Sequence, residues 1–228
     1  MVKAVPLRHV VLSIPKILRR YFLYDRKLLT GLSRCGWESL KAFYTASVGD
    51  DKSVPGAVVA IQTFGGFLGF HPHMHILVSD GCFHENGMFS VSSTVNTNAL
   101  KQIFRHKVLK MLLAKGKITQ DMIKLLDKWR HTGFNVFAGP RILPRNQTSM
   151  ENLARYIIRA SFSQERRTYH REANQVEYQS KDKSQTKVFD ALEWLAAMPA
   201  CACRTQTGAP TCPIKANKWP VIMAIIVM

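Results

Sequence analysis

The chain has 228 residues, 46% hydrophobic and 21% charged, which suits one or two folded domains and excludes a disordered or collagen-like polymer. Lys and Arg number 32 against 15 Asp and Glu, a formal net charge of +17, so its natural partner is a polyanion: nucleic acid first, an anionic membrane surface second. Five cysteines are too few and too uneven for a disulfide framework, no apolar run approaches the roughly 18–20 residues of a membrane span, and the first twenty residues lack a secretory pattern; the sequence predicts a cytoplasmic protein.

HVVLSI (9–14) is a β-branched run closed by Pro15 and reads as a buried strand. From Lys16 to Tyr44 the apolar residues Ile17, Leu18, Phe22, Leu28, Leu29, Leu32, Leu40 and Phe43 recur at helical spacing, while Lys16, Arg19, Arg20, Arg26 and Lys27 give that stretch a basic face. After a turn cluster at 49–56, AVVAIQTF (57–64) and HMHILVS (73–79) read as two strands of a hairpin, broken by Gly65-Gly66 and closed by Asp80-Gly81. Residues 98–129 are expected to be helical with an interruption at Gly116, and FNVFAG (134–139) to be a short strand ended by Gly139-Pro140. MENLARYIIRAS (150–161) reads as a helix capped by Thr148 or Ser149, QVEYQS (175–180) as a strand, and KVFDALEWLAAM (187–198) as a last helix. Irregular alternation with at least one hairpin predicts an α+β fold with a central antiparallel sheet carrying the His-x-His strand and flanked by helices.

Two features carry chemistry. His71, His73 and His75 alternate in HPHMHILV, and alternate residues of a strand project to one face, so two imidazoles stand side by side where they can share a metal. The competing reading makes them a strand cap and a hydrogen-bonded core residue. Tyr156 lies between Arg155 and Arg159 on the 150–161 helix. There it is either an aromatic packed on the sheet or a nucleophile toward a phosphodiester, with the cations favouring its ionised form.

A histidine pair on a strand, a downstream tyrosine on a basic helix and a large positive charge together meet the needs of tyrosine-mediated DNA nicking. At VPLRHVVLSIP (5–15), IQTFGGFLGFHPHMHILVSDG (61–81), NLARYIIR (152–159) and VEYQSKD…KVFDALEWLAAM (176–198) the sequence resembles rolling-circle insertion-sequence transposases of the HUH endonuclease superfamily. The resemblance spans nearly everything up to Met198. It implies that His73 and His75 ligate a divalent metal, Mn²⁺ or Mg²⁺, and that Tyr156 forms a 5′-phosphotyrosine link to single-stranded DNA at transposon ends. Gln62 is the candidate third ligand, with His71 and His9 as rivals, and Arg155, Arg159, Arg19, Arg20 and Arg26 are candidate phosphate contacts.

The chain departs from the family pattern in three places. Two-tyrosine members carry their tyrosines four apart on this helix, and Asn152 holds the earlier position here, as in a single-tyrosine member. No cysteine precedes Cys35, so the family's N-terminal zinc-binding module is expected to be missing and residues 1–198 to be the catalytic domain. Residues 199–228 contain no Asp or Glu, three of the five cysteines and four of the ten prolines. Codons read one nucleotide early from about Pro213 can spell the aromatic stretch with which the family continues, so this tail is expected to be a frameshifted, non-native segment; a zinc-binding C-x-C tail is the other reading. Two further functions stand beside nicking: a zinc-dependent hydrolase built on His71, His73 and His75, and a non-catalytic basic nucleic-acid-binding protein.

Overall fold

A computed structural model describes residues 5–65, 67, 69–92, 94–157, 163–180, 182–201 and 222–226. The elements run β1 (Leu7–Ser13), α1 (Lys16–Tyr24), α2 (Leu28–Val48), β2 (Ala57–Phe64), β3 (Phe70–Ser79), β4 (Gly81–Phe83), β5 (Phe89–Val91), α3 (Thr97–Ala114), α4 (Gln120–Asp127), β6 (Asn135–Ile142), α5 (Gln147–Ile157), β7 (Arg167–His170), β8 (Gln175–Gln179), β9 (Thr186–Asp190), α6 (Ala191–Cys201) and β10 (Ile222–Ile226). This is the expected α+β class. A five-stranded sheet has the order β10-β2-β3-β1-β6, with β1 antiparallel to both β3 and β6. The chain divides into two compact units, one of residues 1–61, 72–157 and 222–228, the other of residues 62–71 and 158–221. Among the described residues no helix is long and apolar enough to cross a membrane.

In the first unit the strand period of two sorts the side chains. Val10 and Leu12 of β1, Met74, Ile76 and Val78 of β3 and Val136 of β6 share one buried face. Each contributes about 1.5–3 kcal/mol of apolar burial. Helix α2 covers this face closely at Gly36, where an added Cβ would lie 2.7 Å from Met74 Cε and 3.4 Å from Leu12 Cδ1. Helix α3 packs beside α2 and against the start of β6, with Phe104 edge-on to Phe134 at 5.9 Å. The opposite face, holding His9, Val11 and Ser13 of β1 opposite Leu77, His75 and His73 of β3, is the chemically interesting one.

The helical run expected over 16–44 is two helices, broken at 25–27, where Asp25 accepts the Lys27 amide and pairs with Lys117. Strand β6 does not stop at Pro140 but continues to Ile142. It is an edge strand, where a proline's missing N–H costs no ladder bond. Helix α5 is capped earlier than expected, by Asn146, whose side chain accepts the Ser149 amide. The small β4–β5 hairpin was not anticipated. It depends on Gly81, at φ +155°, whose Cβ would sit 2.0 Å from the backbone oxygen of Ser90. Gly81→Ala is therefore expected to lower unfolding free energy by roughly 3 kcal/mol or more. Urea denaturation checks this, and a loss under about 0.5 kcal/mol, as at an ordinary surface site, contradicts it.

The second unit contains the antiparallel sheet β7-β8-β9 and α6. Its core is Phe64, Val176, Tyr178 and Trp194, with Phe67 and Phe189 against it. The expected helix over 187–198 is here a strand followed by a helix. Lys187-Val188-Phe189 pairs with β8, and Asp190 accepts the Leu192 and Glu193 amides to start α6. Of the residues 199–228, only 199–201 and 222–226 are described, so the tail expectation falls largely outside the described residues. Ile222–Ile226 forms β10, antiparallel to Ala57–Ile61 of β2.

Candidate active site

Pairing of β1 with β3 sets the centre of the site. Val11 stands opposite His75 and Ser13 opposite His73, so the His73-Met74-His75 motif directs both imidazoles to the face away from α2. Their ring centroids lie 5.0 Å apart. His75 is 2% exposed, whereas His73 is half-buried. His9 joins them from β1: its Nε2 is 3.0 Å from Nδ1 of His75. The two ring planes are only 13° apart with centroids 5.2 Å apart. At that nitrogen separation, the rings meet edge to edge rather than face to face. Burial lowers the pKa of His9.

Helix α5 lays Tyr156 over the same group. Its ring is edge-on to His75 at 5.4 Å and to His9 at 6.3 Å, and the side chain remains 43% exposed. The structure thus gathers His9, His73, His75 and Tyr156 from two strands and a helix. Arg155, one residue earlier and a third of a helical turn away, reaches toward Glu151 at 4.0 Å and is largely exposed. Arg159 lies outside the described residues. Gln62 is fully buried on β2, beside β3 in the sheet order, and together with His71 belongs to the second unit. On α1, Arg19 donates from Nε to the Ile14 carbonyl at 3.4 Å, and Arg20 lies over the Tyr21 ring at 5.2 Å; Arg26 sits in the turn before α2.

Adjacent imidazoles form a donor pair that first-row divalent metals accept. Among the described residues no group of three or more His, Cys, Asp or Glu side chains is arranged to hold a metal ion.

Sequence reasoning missed the polar scaffold beside this site. Asp80, fully buried after β3, accepts two bonds from Arg8, Nε at 2.9 Å and Nη2 at 2.7 Å, and another from Arg141 Nε. Tyr44 of α2 donates to it at 3.4 Å. Arg8 Nη1 also donates to the Gly139 carbonyl at 2.8 Å, and Arg141 Nη2 to the Ser92 carbonyl at 2.7 Å. Arg8 pairs with Arg141 and Val10 with Ala138, so Gly139 and Pro140 together oppose His9 in a β-bulge. The available signal was Asp80 between two apolar segments, with Arg8 just before one predicted strand and Arg141 just beyond another, but only the register brings them together.

Residues 56–196, more than half of the chain, match the model of a protein family described as "Putative transposase". An 84-residue stretch is 33% identical to a protein of Pseudomonas savastanoi pv. phaseolicola called "Transposase for insertion sequence element IS801", covering 37% of this chain and 20% of that protein. The chain thus matches about one fifth of that relative's length. No solved structure matches it.

Proposed function

The chain belongs to this transposase family, and from that membership we propose that it is an HUH-type, rolling-circle transposase domain that nicks and rejoins single-stranded DNA through a phosphotyrosine. The observation that carries the reading is Tyr156 standing edge-on to His75 at 5.4 Å, although the two are far apart in sequence. A nucleophile and a metal-binding pair need just this proximity. His73 and His75 would hold the divalent ion, Mn²⁺ or Mg²⁺. The ion, when bound, supplies Lewis-acid polarisation of the scissile phosphate.

The Tyr156 oxygen attacks phosphorus in line. The P–O3′ bond breaks, and the proton lost by the phenol is balanced by the one gained at the released 3′-OH. One phosphodiester replaces another, so the 3′-OH can reverse the step without an external energy source. Partial exposure lets Tyr156 meet a strand at the surface, and a net charge of +17 favours that strand's approach. Arg19, Arg20 and Arg26 are phosphate contacts in this reading, as is Arg159; Arg155, turned toward Glu151, contributes charge at longer range.

The test is direct. The chain is incubated with a pool of end-labelled single-stranded oligonucleotides of random sequence, with and without Mn²⁺, and run on a denaturing gel. Expected is a Mn²⁺-dependent protein–DNA adduct with a matching free 3′-OH fragment. Binding without adduct or fragment favours the non-catalytic DNA-binding alternative.

A further inference from the structure

We propose that His9 is a positioning residue: it accepts the Nδ1 proton of His75 and so commits His75 to present Nε2 to the divalent ion. The inference rests on the metal reading above. An imidazole that ligates through one nitrogen carries its proton on the other, and the partner of that proton sets ring orientation and tautomer. Here the partner is His9. Nε2 of His9 faces Nδ1 of His75 at 3.0 Å in an edge-to-edge arrangement, which suits a hydrogen bond in the ring plane. With Nδ1 of His75 donating to it, His9 keeps its own proton on Nδ1. His75 then has only Nε2 for the ion.

The surroundings of His9 are those of a held group. Gly139 and Pro140 oppose it in the bulge, and a Cβ at Gly139 would stand 3.4 Å from the His9 carbonyl oxygen. Next to it in β1, Arg8 bonds both Asp80 and the Gly139 carbonyl, fixing the strand register on either side of His9. Phe137 closes on the ring edge-on at 6.4 Å. His9 as a ligand is a different role, because its Nε2 cannot accept from His75 and coordinate at once.

Methionine and glutamine are close in volume, but only glutamine offers a good acceptor oxygen, so the test compares His9→Met with His9→Gln in the full chain. Mn²⁺ affinity is read by calorimetry and by the EPR signal of free Mn²⁺, with the metal-free melting curve as a check on folding. His9→Met is expected to weaken Mn²⁺ binding about 10–100-fold, the usual scale for losing such a partner, and His9→Gln to recover most of that loss. Unchanged affinity in both variants overturns the proposal, and an equal loss in both overturns it in favour of direct ligation. A parent chain that takes up no Mn²⁺ overturns the metal reading and this inference with it. A second measurement needs no variant: ¹⁵N spectra of the Zn²⁺-loaded parent are expected to show Nδ1 protonation on both His75 and His9. A metal-shifted His9 Nε2 contradicts the proposal.

Discussion

Tyr156→Phe is expected to abolish covalent attachment to DNA, a loss of about 10⁴-fold or more as for other deleted nucleophiles, while DNA affinity changes by no more than about twofold. The asymmetry comes from the geometry. The Tyr156 ring contacts His75 and His9 through its edge-on aromatic body, and phenylalanine keeps that body. What it lacks is the oxygen proposed to attack phosphorus. The side chain is partly exposed and on one face of an exposed helix, so removing the hydroxyl leaves no cavity and little to destabilise. Peptide mapping of the parent adduct should place the DNA on Tyr156. An adduct mapped to Tyr169 or Tyr178, or one that persists in Tyr156→Phe, removes Tyr156 from the mechanism.

The parts of this site differed in how far they could be read from the sequence. His73 and His75 were legible because a strand's period is local, and two residues apart means one face whatever the strand pairs with. The strand carrying His9 was legible too, but its register was not. Val11 opposite His75 is a property of two segments more than sixty residues apart, and it brings His9 Nε2 to His75. Flanking arginines made Tyr156 a candidate, but neighbours in a helix point about 100° apart, and Arg155 turns instead to Glu151, four residues earlier. At 187–190 the apolar spacing of KVFDALEWL satisfied a helical period, and tertiary pairing with β8 prevailed over it. The Asp190 cap was the overlooked local signal.

Asp80→Asn is expected to cost about 3–5 kcal/mol of stability, because it removes the one anion between two guanidinium groups at a buried position. For a chain of this size, that is a fall of roughly 10 °C in melting temperature. The pH dependence provides a signature that simple loss of packing does not share. Burial on its own pushes the Asp80 carboxyl up, but hydrogen bonds and charges from Arg8 and Arg141 outweigh it and hold the group below the usual carboxylate range. A depressed folded-state pKa means that the carboxylate's contribution is fully present above the unfolded value near 3.9 and is lost as pH falls through the folded value. The stability gap between parent and Asp80→Asn should therefore stay flat from pH 7 to about 5 and narrow below about 4. A gap that stays constant down to pH 2.5 rules out the charged network as its source. The same substitution should reach the site, since Arg8 holds both Asp80 and the Gly139 carbonyl that flanks His9. At a temperature where the variant is still folded, freeing Arg8 loosens the bulge and with it the His9–His75 contact. Mn²⁺ affinity should then fall in Asp80→Asn, although Asp80 lies on the buried side of the sheet, away from His73 and His75.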